Sequence, residues 1–522
     1  MSSVERGSWC GAAEVDITPP PGLPLAGYGA LGRIAKRTID PLKARAVYFR
    51  DSRGHDAALC VVDLASASGY LFRRAAEMAS ASCGLVERNL VVAGTHTHAA
   101  PGNFFASSYF DSLTQARRGF DRGLAEWLAT RIAAAVTMAA ANARPAALGL
   151  ATGRLWGVST NACPGAFHRN PDAPAWEAPG GPASGAPPST PPGQRATDPR
   201  VKVLAAFAEG GAPLAVLASF ACHNTCLGPA VDGYSADWTG AAAGMLSARL
   251  GAGCLCAVMP GTAGDVNMLV PGATQGTDLA RGVGRAVADT VGAVLDEARR
   301  GAAAYTVDCR LASIPLTSRL VDGDPATELA ETWCVGRAAL GGAPDGRSLL
   351  YHLGLAGAAA SARYFSPAHP QFPKSPALGP VQAALRRLLA LSPPRCWPLH
   401  LWRVGPALIA TVPGEPTVMA AWRIERALAR ADPGAVPWII GYAGEYAGYF
   451  TTPEEYLEQQ YEAASMLYGR YCTNHVQARL LALQATPVAG GEASGAPPAW
   501  PRHRAVRRFA RLKTRAGAKT PE

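Results

Sequence analysis

Cysteine spacing of the metal-finger or redox kind is missing. Twelve cysteines are spread over 522 residues and none stands in a CxxC pair. In a chain of this length they do not make a disulfide framework, and Cys60, Cys222, Cys254 and Cys256 lie inside apolar runs. They are expected to be reduced and buried. No charge-free run of about 20 apolar residues occurs, so no membrane span is expected. The Ala-rich segment 133–143 comes nearest and is closed by Asn142, Arg144 and Pro145. The start of the chain has no apolar stretch of signal-peptide length and carries Glu5, which gives a cytoplasmic expectation. Aromatic residues make up only 7% and charged residues 17%, against 48% hydrophobic. That apolar share excludes a disordered chain, and Gly and Pro without a short period exclude a collagen-like one. What remains is a globular chain long enough to bury a large core, and of enzyme size.

The net charge of +10 is concentrated. Residues 502–522 hold eight Lys or Arg against one acid, so +7 of the total lies there. The body is close to neutral, which argues against a specific nucleic-acid partner. The tail reads as a flexible basic end that could touch anionic surfaces. It is set off by a linker, 486–501, rich in Pro, Gly and Ala. Residues 171–199 repeat that composition and read as a long exposed loop inserted into one domain, 11–485. No internal repeat is visible in the sequence.

Within the body, short apolar runs stop at Gly- or Pro-containing turns that carry a polar residue. AALCVVD ends in Asp63, NLVVAGTHTH in His96 and His98, and PLAVLASFACH in His223. CLCAVMPGTAGD ends in Asp265, ALIATVPGE in Glu415, and PWIIGYAGEYAGY in Glu445, Tyr446 and Tyr449. Runs of this length read as buried strands. Between them, 121–143, 238–250, 278–300, 378–391 and 417–431 have helical character. The fold class is α/β, with a mixed central sheet or sheets covered by helices. Six strand ends carrying ionisable groups suggest one convergent site.

GTHTHAAPG (94–102) is the sharpest motif. In an extended chain His96 and His98 face the same side, and a divalent metal would hold such a pair neutral. A hydrogen-bonded pair reads equally well. Taken singly, His223 fits a satisfied core histidine, with Cys222 and Cys226 as packing, and Glu415 fits a helix N-terminus. Asp265 alone fits turn chemistry. Thr452, Pro453, Glu454 and Glu455 mark a capped helix start.

Taken together and in order, the motifs resemble the neutral (non-lysosomal) ceramidase family of zinc amide hydrolases. They are EVDITPP, IDPLKARA (39–46), VVDLA (61–65), GTHTHAAPG, HRNP (168–171), FACHNT (220–225), AGDVN (263–267), PGEPT (413–417) and YAGYFTTPEEYLEQQYEAAS (446–465). The resemblance implies one Zn²⁺ per chain, held by His96, His223, Glu415 and Tyr449, with Tyr446 the alternative tyrosine. It implies that His98, Arg169 and Tyr461 surround the reacting amide of a ceramide-like or other small N-acyl substrate. Metal chemistry adds His98 as proton carrier, with Asp265 and Asp63 orienting the ligands. HRN stands where the family has NRS, and Asn267 replaces the family's Ser, which argues against a serine nucleophile. Other readings of the same site are an esterase or lactonase, a biosynthetic amidase, and a catalytically silent zinc module. A barrel amidohydrolase would need further His ligands, and a dinuclear phosphoesterase a GNH motif that is absent.

Overall fold

The computed structural model describes residues 7–29, 32–269, 274–344, 346–358, 361, 363–486 and 506–517. One succession of elements occurs three times. The first module is β1 (Trp9–Asp16), β2 (Lys43–Arg50), β3 (Asp56–Val62), α1 (Gly69–Cys83), β4 (Leu90–Gly94) and α2 (Arg122–Ala141). The second is β5 (Arg144–Arg154), β6 (Arg200–Ala208), β7 (Pro213–Phe220), α3 (Asp237–Leu250), β8 (Leu255–Met259) and α4 (Thr277–Arg300). The third is β9 (Val307–Pro315), β10 (Cys396–Val404), β11 (Ala407–Thr411), α5 (Val418–Ala431), β12 (Val436–Ile440) and α6 (Cys472–Ala485). In each, the first three strands pair antiparallel, and the fourth joins parallel through a crossover helix. The first two modules share an eight-stranded sheet, β8-β7-β6-β5-β1-β2-β3-β4, through the antiparallel β1–β5 pair. The third has its own four-stranded sheet. A repeat therefore exists, in connectivity and not in sequence period.

Alternation in the strands explains the packing. In β3, Ala58, Cys60 and Val62 face the core under α1 and α2, while Ala57, Leu59 and Val61 face the opposite way. That opposite core joins all three modules: Val47 and Phe49 meet Leu204, Leu217, Trp402, Ile409 and Trp438. Strands covered on both faces read as unbroken apolar runs, which is why their ends were legible. Ser68 caps α1, accepting from Leu71 N at 3.3 Å, and Gly84 ends it at φ 76°. Because the third and fourth strands of a module run parallel, their carboxyl ends open at one end of the sheet. All three modules direct those ends to one place.

Two expectations need correction. Residues 171–199 are not simply an exposed loop, because buried residues alternate with exposed ones. They contain the short helices Ala173–Glu177 and Pro192–Arg195, and Trp176 is buried 5.3 Å from Trp422. The basic tail is not loose from residue 508, because α7 (Arg508–Gly517) docks on α2. Phe509 is buried 5.2 Å from Trp127, and its N–H donates to Asp121 at 2.9 Å. Of the proposed linker, 487–501 lies outside the described residues. The helix α2 is long and apolar enough to cross a membrane, but half of it is buried against the rest of the chain, as in a core helix, so the expectation of no span is not overturned. The cysteines are free, and eight of the twelve are buried.

Candidate metal centre

β4 ends at Gly94, where a Cβ would run into the backbone of Ser66. The chain then turns, with His96 in the left-handed region at φ 60°, an uncommon conformation for a residue with a side chain. The two histidines of the motif therefore converge through a turn and not through strand alternation. His96 Nδ1 meets the Ala65 carbonyl at 2.6 Å, and its ring stacks on Tyr442 at 4.2 Å. His223, just past β7, places Nδ1 on the Ala263 carbonyl at 2.9 Å. A carbonyl partner requires N–H on Nδ1, so both Nε2 atoms present lone pairs. Those two Nε2 atoms are 2.9 Å apart.

Glu415 completes the group from the third module. Its Oε2 lies 3.3 Å from His96 Nε2 and 3.6 Å from His223 Nε2, and it is buried without a hydrogen-bond donor. Its Oε1 accepts from the Tyr446 hydroxyl. Burial alone would raise this carboxyl. Positive charge at His96 and His223, with the Tyr446 hydroxyl, outweighs that and holds it down to about 2; with neutral rings a bound cation would supply that charge. Two facing lone pairs and an orphaned carboxylate oxygen suit a divalent cation. His98 joins the ring of donors, with Nε2 3.3 Å from His96 Nε2. Its Nδ1 is buried without a partner, and its ring meets Tyr28 edge-on at 4.7 Å. Burial, then the neighbouring His96 and His223, push its pKa well below the usual histidine value.

The tyrosines divide. Tyr446 bonds Glu415 through its hydroxyl. Tyr449 is buried and forms a strand bridge with Glu415, and its ring lies 5.5 Å from that of Tyr461, edge-on. Tyr461 opens the short helix Tyr461–Ser465. Arg169 is not drawn in: its side chain is 66% exposed and pairs with Glu458 at 2.8 Å. Asp265 and Asp63 do not orient the histidines, a task taken by the two carbonyls. Asp265 accepts from Val418 N (2.9 Å) at the start of α5 and from Asn161 (2.7 Å). Asp63 is buried against Arg45 at 2.8 Å. Asn267 sits in the two-stranded pairing opposite Thr160. Burial pushes the thiols of Cys222 and Cys226 up, and neither belongs to the cluster formed by His96, His98 and His223. Sequence reasoning missed Ala65, Ala263 and Tyr442. The first two act through backbone carbonyls, which leave no side-chain signature. Tyr442 was visible only as one of a dense cluster of tyrosines.

The chain resembles known proteins along most of its length. The sequence model of the neutral/alkaline non-lysosomal ceramidases, N-terminal part, matches residues 9–257 and 378–478. A neutral ceramidase of Mycobacterium tuberculosis is 28% identical over 495 residues, 86% of this chain and 72% of that protein. One from Pseudomonas aeruginosa is 43% identical over 79 residues, 15% of this chain and 12% of that one. Among solved structures, a ceramidase complexed with C2 superposes with a TM-score of 0.80 at 22% identity, covering 95% of this chain and 78% of that one. The crystal structure of the Pseudomonas aeruginosa neutral ceramidase gives 0.75, also at 22% identity. At that identity the likeness to the solved structures is one of fold.

Proposed function

Because the chain belongs to the neutral/alkaline non-lysosomal ceramidase family, we propose that it is a zinc-dependent hydrolase of the amide bond in a ceramide-like N-acyl lipid. The observation that carries the reading is the 2.9 Å approach of the His96 and His223 Nε2 atoms beside the unpartnered Glu415 Oε2. His96, His223 and Glu415 would hold the ion, with Tyr449 as the fourth ligand and Tyr446 fixing the carboxylate. An ion held there supplies a Lewis acid for the amide carbonyl and lowers the pKa of water from about 15.7 toward 7.

The rest is the work of this chain's side chains. His98, kept neutral by burial, takes a proton from the attacking water and returns it to the leaving amine. Tyr461, whose ring adjoins that of Tyr449, donates to the developing oxyanion. One such donor contributes about 3–4 kcal/mol. Arg169, exposed and held by Glu458, contacts the polar end of the substrate and not the reacting carbonyl. Asp265 fixes the start of α5, and so the turn that carries Glu415.

The test joins elemental analysis to a hydrolysis panel of N-acyl sphingoid bases, other N-acyl amines, esters and lactones, with and without chelator. One zinc per chain and chelator-sensitive amide cleavage are expected. Zinc and amidase activity retained in both His96→Ala and Glu415→Ala would defeat the reading. Cleavage of esters or lactones alone would keep the metal and replace the bond.

A further inference from the structure

Ten of the sixteen exposed large apolar side chains among the described residues lie between 349 and 389. Leu349 is 70% exposed, Leu353 60%, Val381 57% and Leu388 79%. All belong to the long connection between β9 and β10. Monomeric proteins rarely leave so many large apolar side chains uncovered in one short stretch.

This connection flanks the metal centre on two sides. On one, Gly346 packs against the Tyr28 ring, which meets His98 edge-on. The same arm is tied to the Tyr461 helix through Gly336 N, which donates to Ala464 O at 2.7 Å. On the other, Ser108 Oγ donates to the Ala390 carbonyl at 2.9 Å, and Phe110, two residues on, lies 4.6 Å from Tyr446. Both arms of the connection thus touch elements that carry residues of the centre.

Its charge is one-sided. Residues 333–395 contain six arginines and one lysine against a single acid, Asp345. Lys374 is buried, whereas Arg363 and Arg387 are exposed. The basic helix α7 reaches the neighbouring loop, where Arg508 donates to the carbonyls of Arg117 and Arg118. Leucines that can enter an acyl layer, ringed by guanidinium groups that meet phosphates, match the interface of an anionic bilayer. A polar protein partner would not reward so many bare leucines, and the arginine excess disfavours self-association of this face. The family's sequence model does not match 258–377, so the Leu349–Leu355 arm lies outside the part that defines the family.

We propose that residues 337–344, 346–356 and 378–391 form a docking face that seats the mouth of the metal centre on an anionic phospholipid bilayer. The inference rests on the reading of the substrate as a lipid amide, and it deepens that reading by naming where such a substrate is collected.

The full chain is sedimented with vesicles of phosphatidylcholine alone and of phosphatidylcholine with phosphatidylglycerol. Binding to the anionic vesicles is expected. It should fall by about tenfold or more in Leu349→Glu/Leu353→Glu/Leu388→Glu, and by less in Arg363→Glu/Arg387→Glu. Both variants should keep wild-type thermal unfolding and cleave a water-soluble short-chain amide at the wild-type rate. No binding by the wild type, or equal binding by the triple variant, would overturn the proposal. So would a wild-type dimer that ignores vesicles and is converted to monomer by the leucine changes. Vesicle binding of the expected pattern without amide cleavage would support the docking face and defeat the amide reading instead.

Discussion

His96 and His223 point their Nε2 atoms at each other across 2.9 Å, each ring having bonded its other nitrogen to a backbone carbonyl. Ala65 and Ala263 thereby choose the tautomers, and the two lone pairs repel until a cation lies between them.

Zinc, the ion proposed for this site, should therefore stabilise the fold. At a hundredfold excess over its dissociation constant, a ligand specific to the folded state adds about 2.7 kcal/mol. Thermal unfolding of metal-stripped protein should shift upward on adding zinc, and chelator should reverse the shift. His96→Ala should abolish this response. A midpoint that ignores zinc in the wild-type protein would contradict the arrangement.

The two tyrosines near Glu415 should differ in what they lose. Tyr446→Phe removes the donor to a buried carboxylate, a loss of about 1.5–3 kcal/mol for a hydrogen bond to a charged group. It should lower stability and turnover while zinc is retained through dialysis. Tyr449→Phe should release zinc under the same dialysis. If the two outcomes are exchanged, the ligand is Tyr446.

Much of this centre was readable in the chain because of how its strands are covered. β3, β4, β7, β8 and β11, and the carboxyl-terminal half of β12, are buried on both faces, so each appears as an apolar run with a sharp end, and the functional side chains follow those ends. β1, β5 and β9 open the three modules and are partly exposed. WCGAAEVD and VDCRLASIP carry no such run, and with those strands unread the threefold connectivity stayed hidden. Connections of very unequal length hid it further, since residues 316–395 separate β9 from β10. The left-handed turn at His96 could not be read either, because the residue type that adopts it here is not the glycine that usually signals it. Arg169 shows the opposite failure: its motif was found, but its ion pair with Glu458 depends on a neighbour distant in sequence.

Gly27 should be intolerant of any side chain. Its φ is +103°, and a Cβ there would overlap the ring of His98. Gly27→Ala adds backbone strain of about 1–3 kcal/mol and displaces the imidazole assigned to proton transfer. Turnover should fall by tenfold to a hundredfold, about 1.4–3 kcal/mol in barrier, with zinc content and KM close to wild type. A displaced ring that leaves turnover unchanged would remove His98 from the reaction.

Three carboxyl groups lie buried together below the centre. Asp265, Glu455 and Glu462 line one small cavity with Cys163, Phe167 and Thr417. Burial raises all three, and Glu462, which accepts from Cys163 Sγ at 3.2 Å, reaches about 7. The ordinary value is 4.5, so between about 4.5 and 7 the folded chain keeps a proton that the unfolded chain releases. Stability contributed by this group is full below about 4.5 and is lost as pH rises through 7, by about 3 kcal/mol in all. Glu415, held near 2, titrates far below that window. Unfolding midpoints should therefore decline from about pH 5 to pH 8, and Glu462→Gln, which keeps the volume and an acceptor for Cys163, should flatten the decline. An equal slope in the variant would mean that the proton resides on Asp265 or Glu455, and the one of Asp265→Asn and Glu455→Gln that flattens the decline would identify which.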